Sequence, residues 1–249
     1  MSVELQSPDT PHARETDVES YALQRSLVSL IQLGAATSHR SLQTSIGTSE
    51  IGRICERQIA YKLSGTPPTN LTDPLRALVG TGFHLAMAEI FRRLDSGSGR
   101  FLVEHRVRFR GIPGTCDLYD RMSRTVIDWK TCLKSKLTRI RYDGPQVSYV
   151  IQLQMYAAAL LAAGETPQWC ALVFVPVDAT LDEVHVWRTA FDPAVADKAV
   201  NRVNELVDRL PSTVNASPSE LCGWCDHHQP DSTDIDTGCP GDPNKRRKP

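Results

Sequence analysis

No apolar run in the 249 residues is long enough to cross a bilayer, and the N-terminus lacks the apolar stretch of a secretory signal. The expectation is a protein of the cell interior, where thiols stay reduced. Its seven cysteines therefore read as metal ligands or buried apolar residues, not as a disulfide framework. An internal repeat is missing too. So is a surplus of one charge, with 28 Lys and Arg against 29 Asp and Glu. That balance hides segregation: residues 100–142 carry eleven basic residues against four acids, while residues 211–244 carry six acids and no Lys or Arg. Phosphate attraction follows the local field more than the total, so the near-neutral net charge does not exclude a nucleic-acid partner. Hydrophobic and charged fractions of 41% and 23% fit one ordinary globular domain with appendages.

Residues 1–20 are acidic, hold two prolines and show no periodicity, which predicts a mobile tail. An amphipathic helix is expected over 21–34, stopped by Gly34. A second should open at Ser49 and run to Gly65, and a third should span LRALVGTGFHLAMAEIFRRL before the SGSG loop at 96–99. The period then changes to two. In FLVEHRVRFR (101–110), Phe101, Val103, His105, Val107 and Phe109 share one face, and Glu104, Arg106, Arg108 and Arg110 the other. Strands follow near 114–121 and 124–131, then a helix at 145–163, strands at 168–177 and 183–191, and a helix capped by Asp192 with Pro193 at its first position. Helix, three strands, helix, strand is the order of a mixed α/β (α+β) fold, a mixed sheet with helices on its faces.

Asp128 and Lys130 lie two apart on an expected strand and so point the same way, with Trp129 opposite. Asp117 on the neighbouring strand can reach that face. Paired carboxylates make a hard-oxygen site suited to Mg²⁺ or Mn²⁺, and a lysine beside the metal can orient or deprotonate water and offset charge on a phosphate. A D-x-K triplet alone is more often a surface ion pair, so its company decides. Gly114 precedes Asp117 by three, a spacing that lets the chain turn into the strand. His84 follows Gly80 by four, and Gln152 and Tyr156, four apart, share a helix face.

In order and rough spacing, G-x-x-D (114–117), D-W-K (128–130), Q-x-x-x-Y (152–156) and the upstream GTGFH (80–84) resemble the RecB-type PD-(D/E)XK nucleases, over roughly residues 45–240. That group includes nuclease domains of recombination helicase–nucleases, CRISPR-adaptation nucleases and phage exonucleases. The resemblance implies a restriction-endonuclease-like core in which His84, Asp117 and Asp128 bind the catalytic metal and Lys130 acts on the water. Gln152 and Tyr156 would help position the substrate and the lysine. Each residue has a plainer role open to it, since His84 and Tyr156 sit in apolar helices where core packing is the default.

Cys222-Gly-Trp-Cys225 is a metal knuckle, with Cys239 fourteen residues later and Cys55 far upstream. A subset of the family resembled here binds a [4Fe–4S] cluster through one cysteine before the nuclease core and three after it. The resemblance thus implies Cys55, Cys222, Cys225 and Cys239 as ligands, tying 45–65 to 211–240. The gap between Cys225 and Cys239 is longer than in that pattern and holds His227 and His228. Zinc on Cys222, Cys225, one of these histidines and Cys239 is the alternative. Cys116, Cys132 and Cys170 read as packing residues.

Lys134, Lys136, Arg139 and Arg141 leave the catalytic strand in a stretch without acids, placed to hold phosphates of a bound strand; a solvated loop is the plainer reading. The terminal KRRK (245–248) reads as a nonspecific nucleic-acid tail or a solubilising one. The expected organisation is a tail (1–20), one nuclease domain (21–240, catalytic core 75–210) and a basic tail (241–249). By resemblance it is a cytoplasmic, bacterial or phage-encoded DNA exonuclease preferring single-stranded ends, with recombination or CRISPR-adaptation proteins as further partners. The alternatives are a noncatalytic DNA-binding module on the same fold and a restriction-type endonuclease.

Overall fold

Period-two sequence produces the sheet. The computed structural model describes residues 11–37, 45–70, 72–219 and 221–241. Strands β1 (Phe101–Phe109), β2 (Ile112–Asp120), β3 (Thr125–Cys132), β4 (Trp169–Pro176) and β5 (His185–Ala190) form one sheet in the order β1-β2-β3-β4-β5. All neighbours are antiparallel except β3 and β4, which run parallel. The parallel pair needs a crossover, and α5 (Lys134–Asp143) with α6 (Val147–Ala162) supplies it. The β2–β3 ladder runs from Asp120↔Thr125 to Leu118↔Ile127 and stops, so the strands diverge just before Asp117 and Asp128.

Apolar residues on every side of α6 make it the centre of the core, with residues 152–160 all buried. Leu153, Tyr156, Ala157 and Leu160 pack with Val126, Cys170 and Leu172 of the sheet. Met155 and Ala158 pack instead with Ile51 and Ile59, and with Ala196, Ala199 and Val200 of α7 (Pro193–Asn204). Asp192 accepts a hydrogen bond from the Ala194 N–H at 2.9 Å and Pro193 fills the first turn of α7, the start expected from sequence. On the opposite face of the sheet lies α4 (Leu75–Asp95), whose Phe83 and Phe91 meet the Trp129 ring at 6.4 and 5.6 Å between centroids.

Several expectations are corrected. The helix expected from Ser49 to Gly65 is broken into α2 (Thr48–Ile51) and α3 (Glu56–Leu63), because the chain turns at Gly52. A Cβ there would lie 2.7 Å from the Ser148 carbonyl oxygen, a close approach to α6 that an unbroken helix with side chains would not allow. Cys55 consequently sits at the N-cap of α3 and not inside a helix. The basic stretch after β3 is helical (α5), not a loop. It anchors through Leu137, the only fully buried side chain of α5, which gives too faint a period to read.

The chain divides into two units, Met1–Gln43 and Thr44–Pro249. In the first, α1 (Pro11–Ala36) begins ten residues before its expected start, so 11–20 are helical. Tyr21, Leu27, Leu30 and Ile31 of α1 are exposed. The rest of the expected N-terminal tail and the KRRK segment lie outside the described residues. No described helix is long and apolar enough to cross a membrane.

Candidate active site

The divergence of β2 and β3 opens a niche lined by Asp117 and Asp128 and closed from α4 by His84. Asp117 is buried, and its Oδ2 accepts the Trp129 backbone N–H at 2.9 Å, which pins it across the gap between the strands. His84 Nδ1 lies 3.4 Å from the same oxygen, and its Nε2 lies 3.1 Å from the Trp129 carbonyl. Trp129 thus contributes backbone on both sides, while its ring anchors α4.

Alternation alone puts Glu104 on the wet face of β1. The structure instead turns it into the niche. Its backbone has φ +47°, a left-handed conformation within a strand, and Oε1 comes 3.8 Å from His84 Nδ1. One ligand atom each from His84, Glu104 and Asp117 lie within 4.8 Å of one another, the only such group among the described residues. The one hint in the sequence is that Glu104 falls opposite Asp117 when the β1–β2 register is extended through the pair. The carboxylates of Asp117 and then Glu104 beside Nδ1 lift the His84 pKa to about 10, so in the metal-free protein a proton sits where the three ligand atoms converge.

Asp128 is the most buried acid of the site, 1% exposed, and neither carboxylate oxygen has an aligned hydrogen-bond donor. Its Oδ2 is 2.6 Å from Lys130 Nζ, an ion pair without hydrogen-bond geometry. Burial pushes its pKa up to about 6, Lys130 offsetting some of the rise. Lys130 donates to Gln152 Oε1 at 3.1 Å, and its Nζ stands 4.6 Å over the Tyr149 ring. Gln152 in turn donates from Nε2 to the Tyr156 hydroxyl at 2.7 Å. Burial pushes the Tyr156 phenol well up. Gly114 has a different role from the one expected. It lies within β2, where a Cβ would strike the Thr48 side chain and sit 2.9 Å from a Tyr156 ring carbon.

The four basic residues of α5 are exposed, but three have local partners. Lys134 pairs with Glu183 at 2.9 Å, Arg139 with Asp143 at 3.2 Å, and Arg141 donates to the Glu183 carbonyl at 3.3 Å. Lys136 is exposed beside them.

The C-terminal cysteines fold back onto α3. Arg57 donates to the carbonyls of Pro211 and Val214, and the Tyr61 hydroxyl to that of Ile235. Asn70 donates to Gly223 and Cys225 carbonyls at 3.2 and 2.9 Å, clasping the knuckle. Cys55 Sγ accepts from the Ser217 N–H at 3.4 Å and Cys222 Sγ from the Ser219 N–H at 3.2 Å. Burial pushes the Tyr61 phenol well up. Cys55, Cys222, Cys225 and Cys239 are half-buried and none is in a disulfide. His227 is buried and stacks on Tyr61 at 4.5 Å, its Nδ1 without a hydrogen-bond partner. Cys116 and Cys170 are fully buried, their thiols pushed up chiefly by burial, and Cys132 is half-buried against the same core.

A family model of the PD-(D/E)XK nuclease superfamily matches residues 98–229. No curated protein matches the chain. Among solved structures it is similar to the protein SSO0001, at 18% identity and TM-score 0.49 over 81% of this chain and 93% of that one. It is also similar to an alkaline exonuclease from Laribacter hongkongensis, at 16% identity and TM-score 0.47 over 66% and 86%. A third is a phage-related exonuclease from Haemophilus somnus 129PT, at 15% and 0.38 over 65% and 91%.

Proposed function

The chain belongs to the PD-(D/E)XK nuclease superfamily, and we propose that it is a metal-dependent DNA exonuclease of the RecB type, acting on single-stranded ends in recombination, repair, phage replication or CRISPR adaptation. The observation that carries this is the convergence of His84, Glu104 and Asp117 beside the buried Asp128–Lys130 pair. The donor set fits a hard divalent cation such as Mg²⁺ or Mn²⁺. It offers carboxylate oxygens and one imidazole, and Asp128 keeps a buried Oδ1 without a partner while its Oδ2 faces Lys130. His84, Asp117 and Asp128 would hold the ion, with Glu104 as a further ligand. When bound, the ion supplies Lewis acidity toward the phosphate and lowers the pKa of water.

The chain's own groups do the rest. The Trp129 N–H and carbonyl fix Asp117 and His84, so two ligands from different elements hold their angle before metal arrives. Lys130, held by Gln152, stands beside Asp128 to orient the attacking water and offset charge developing on the phosphate. The exposed basic face of α5 follows β3 directly and is assigned to phosphates of the bound strand.

Digestion of end-labelled single- and double-stranded DNA with Mg²⁺ or Mn²⁺ tests this reading, with EDTA and a covalently closed circle as controls. Mononucleotide release from linear ends, absent with EDTA and on the circle, is expected. Cutting of the circle would assign an endonuclease, and no cleavage under any condition a noncatalytic module.

For the cysteine region, a [4Fe–4S] cluster on Cys55, Cys222, Cys225 and Cys239 is our preferred assignment. Its support is the backbone N–H groups aimed at Cys55 and Cys222 sulfurs from one short segment, 217–219, which favour thiolates. The buried, unpartnered Nδ1 of His227 favours a second reading, zinc on Cys222, Cys225, His227 and Cys239.

A further inference from the structure

We infer that Tyr149, in the first turn of α6 and outside the motifs legible in the sequence, is a positioning residue for Lys130: its ring holds the ammonium in place without taking one of its hydrogens. The inference rests on the nuclease reading for its importance to turnover, while the contact itself stands apart from that reading. Lys130 Nζ lies over the face of the Tyr149 ring, 4.6 Å from its centroid. That is well inside the reach of a cation–π attraction. Tyr149 precedes Gln152 by three residues and Tyr156 by seven, so the three share one face of α6, and the first two meet Lys130. The Tyr149 side chain is itself packed against the core, which keeps the ring from swinging away. The Lys130 side chain is only 17% exposed. A cation so far withdrawn from water gains more from a ring face than an exposed one does.

The other two neighbours of the ammonium do not fix it alone. Asp128 Oδ2 is 2.6 Å from Nζ, but the pair lacks hydrogen-bond geometry, and the carboxylate is assigned to the metal as well. Gln152 accepts one hydrogen at 3.1 Å. An ammonium has three hydrogens to give, and a further conventional acceptor would occupy one of those left for water and phosphate. A ring face instead attracts the charge as a whole, through its quadrupole. Tyr149 therefore restrains Nζ on one side and leaves its remaining hydrogens able to turn toward the attacking water.

The test compares Tyr149→Leu and Tyr149→Met, which keep apolar bulk and remove the π face, with Tyr149→Phe, which keeps the face and removes the hydroxyl. On end-labelled single-stranded DNA with Mg²⁺, Tyr149→Leu and Tyr149→Met should each lower kcat about 10-fold, the size of a partly desolvated cation–π contact, with KM little changed. Tyr149→Phe should keep wild-type kcat. A second measurement does not depend on turnover. A cation held over a ring face carries its neighbouring protons into the ring current, which shifts them upfield. In protein with ¹³C-labelled lysine, the signal of the Lys130 carbon and protons next to the ammonium is assigned by its loss in Lys130→Ala. It should lie upfield of ordinary lysine in wild type and Tyr149→Phe, and return to the ordinary position in Tyr149→Leu and Tyr149→Met. Wild-type kcat in either apolar variant, an equal loss in Tyr149→Phe, or an ordinary Lys130 signal in the wild-type protein would each overturn the inference. If wild-type protein cleaves nothing, the nuclease reading fails, and an upfield signal abolished by Tyr149→Leu still upholds the ring as the holder of Lys130.

Discussion

Asp128 is placed where a carboxylate is costly, and that cost is measurable. Its pKa rises from 3.8 to about 6, chiefly through burial. The folded state therefore holds the proton more tightly than the unfolded chain, and this group makes the metal-free fold less stable as pH climbs from about 4 through 6. Asn mimics the protonated form. Asp128→Asn should melt higher than wild type at pH 7 without metal, by on the order of 1–3 kcal/mol, while losing cleavage. The difference should vanish near pH 4, and thermal melts at the two pH values check it. Equal or lower stability at pH 7 would mean that Lys130 offsets the burial. His84 has the opposite sign. Raised to about 10 by Asp117 and Glu104, it stabilises the metal-free fold fully below 6.5, an effect lost as pH rises through 10. Its proton must leave before Nδ1 can bind metal. Mn²⁺ binding at neutral pH should then release about one proton, with affinity rising toward alkaline pH. Calorimetry in buffers of different ionisation enthalpy measures this, and zero proton release would remove His84 from the ligand set.

At the scale of elements, the sheet and its acids were readable because their periods are strong. Alternation marked β1, Asp192-Pro193 marked the start of α7, and D-x-K and Q-x-x-x-Y placed their side chains by strand and helix spacing. What escaped lay where tertiary contact overrides period. Glu104 leaves its expected face through one left-handed residue. The close approaches of Gly52 to α6 and of Gly114 to Thr48 and Tyr156 are equally hidden, since in sequence both glycines look like breakers. The turn that splits α2 from α3 has the same cause. The left-handed φ of Glu104 gives a prediction of its own. Glu104→Gly should relieve backbone strain of about 1 kcal/mol at the expense of the His84 partner, and should weaken Mn²⁺ binding in titration. Unchanged Mn²⁺ affinity would leave the residue a merely structural bulge. In α5, converting Lys134, Lys136, Arg139 and Arg141 to Ala should lower the log–log salt slope of single-strand binding by about 0.7 for each phosphate no longer neutralised. Because three of the four basic residues hold local acceptors, the drop should fall well short of that for four phosphates. No change would return the run to solvent.

Across the whole molecule, the C-terminal segment closes on α3 through Arg57, Tyr61 and Asn70, so residues distant in sequence share one small region. That closure was legible only as a pairing of cysteines across the chain; the hydrogen bonds that make it have no sequence signature. If iron and sulfide are present at about four each, Cys55→Ala should lose both and much stability. Zinc with Cys55→Ala costing only a packing defect would assign the histidine site. The central claim concerns the niche where β2 and β3 diverge, and Lys130→Ala tests it most directly. Assayed beside wild type on end-labelled single-stranded DNA with Mg²⁺ or Mn²⁺, the variant should release no nucleotide while melting as a folded protein and still binding DNA. Turnover near that of wild type would contradict a reaction at this niche.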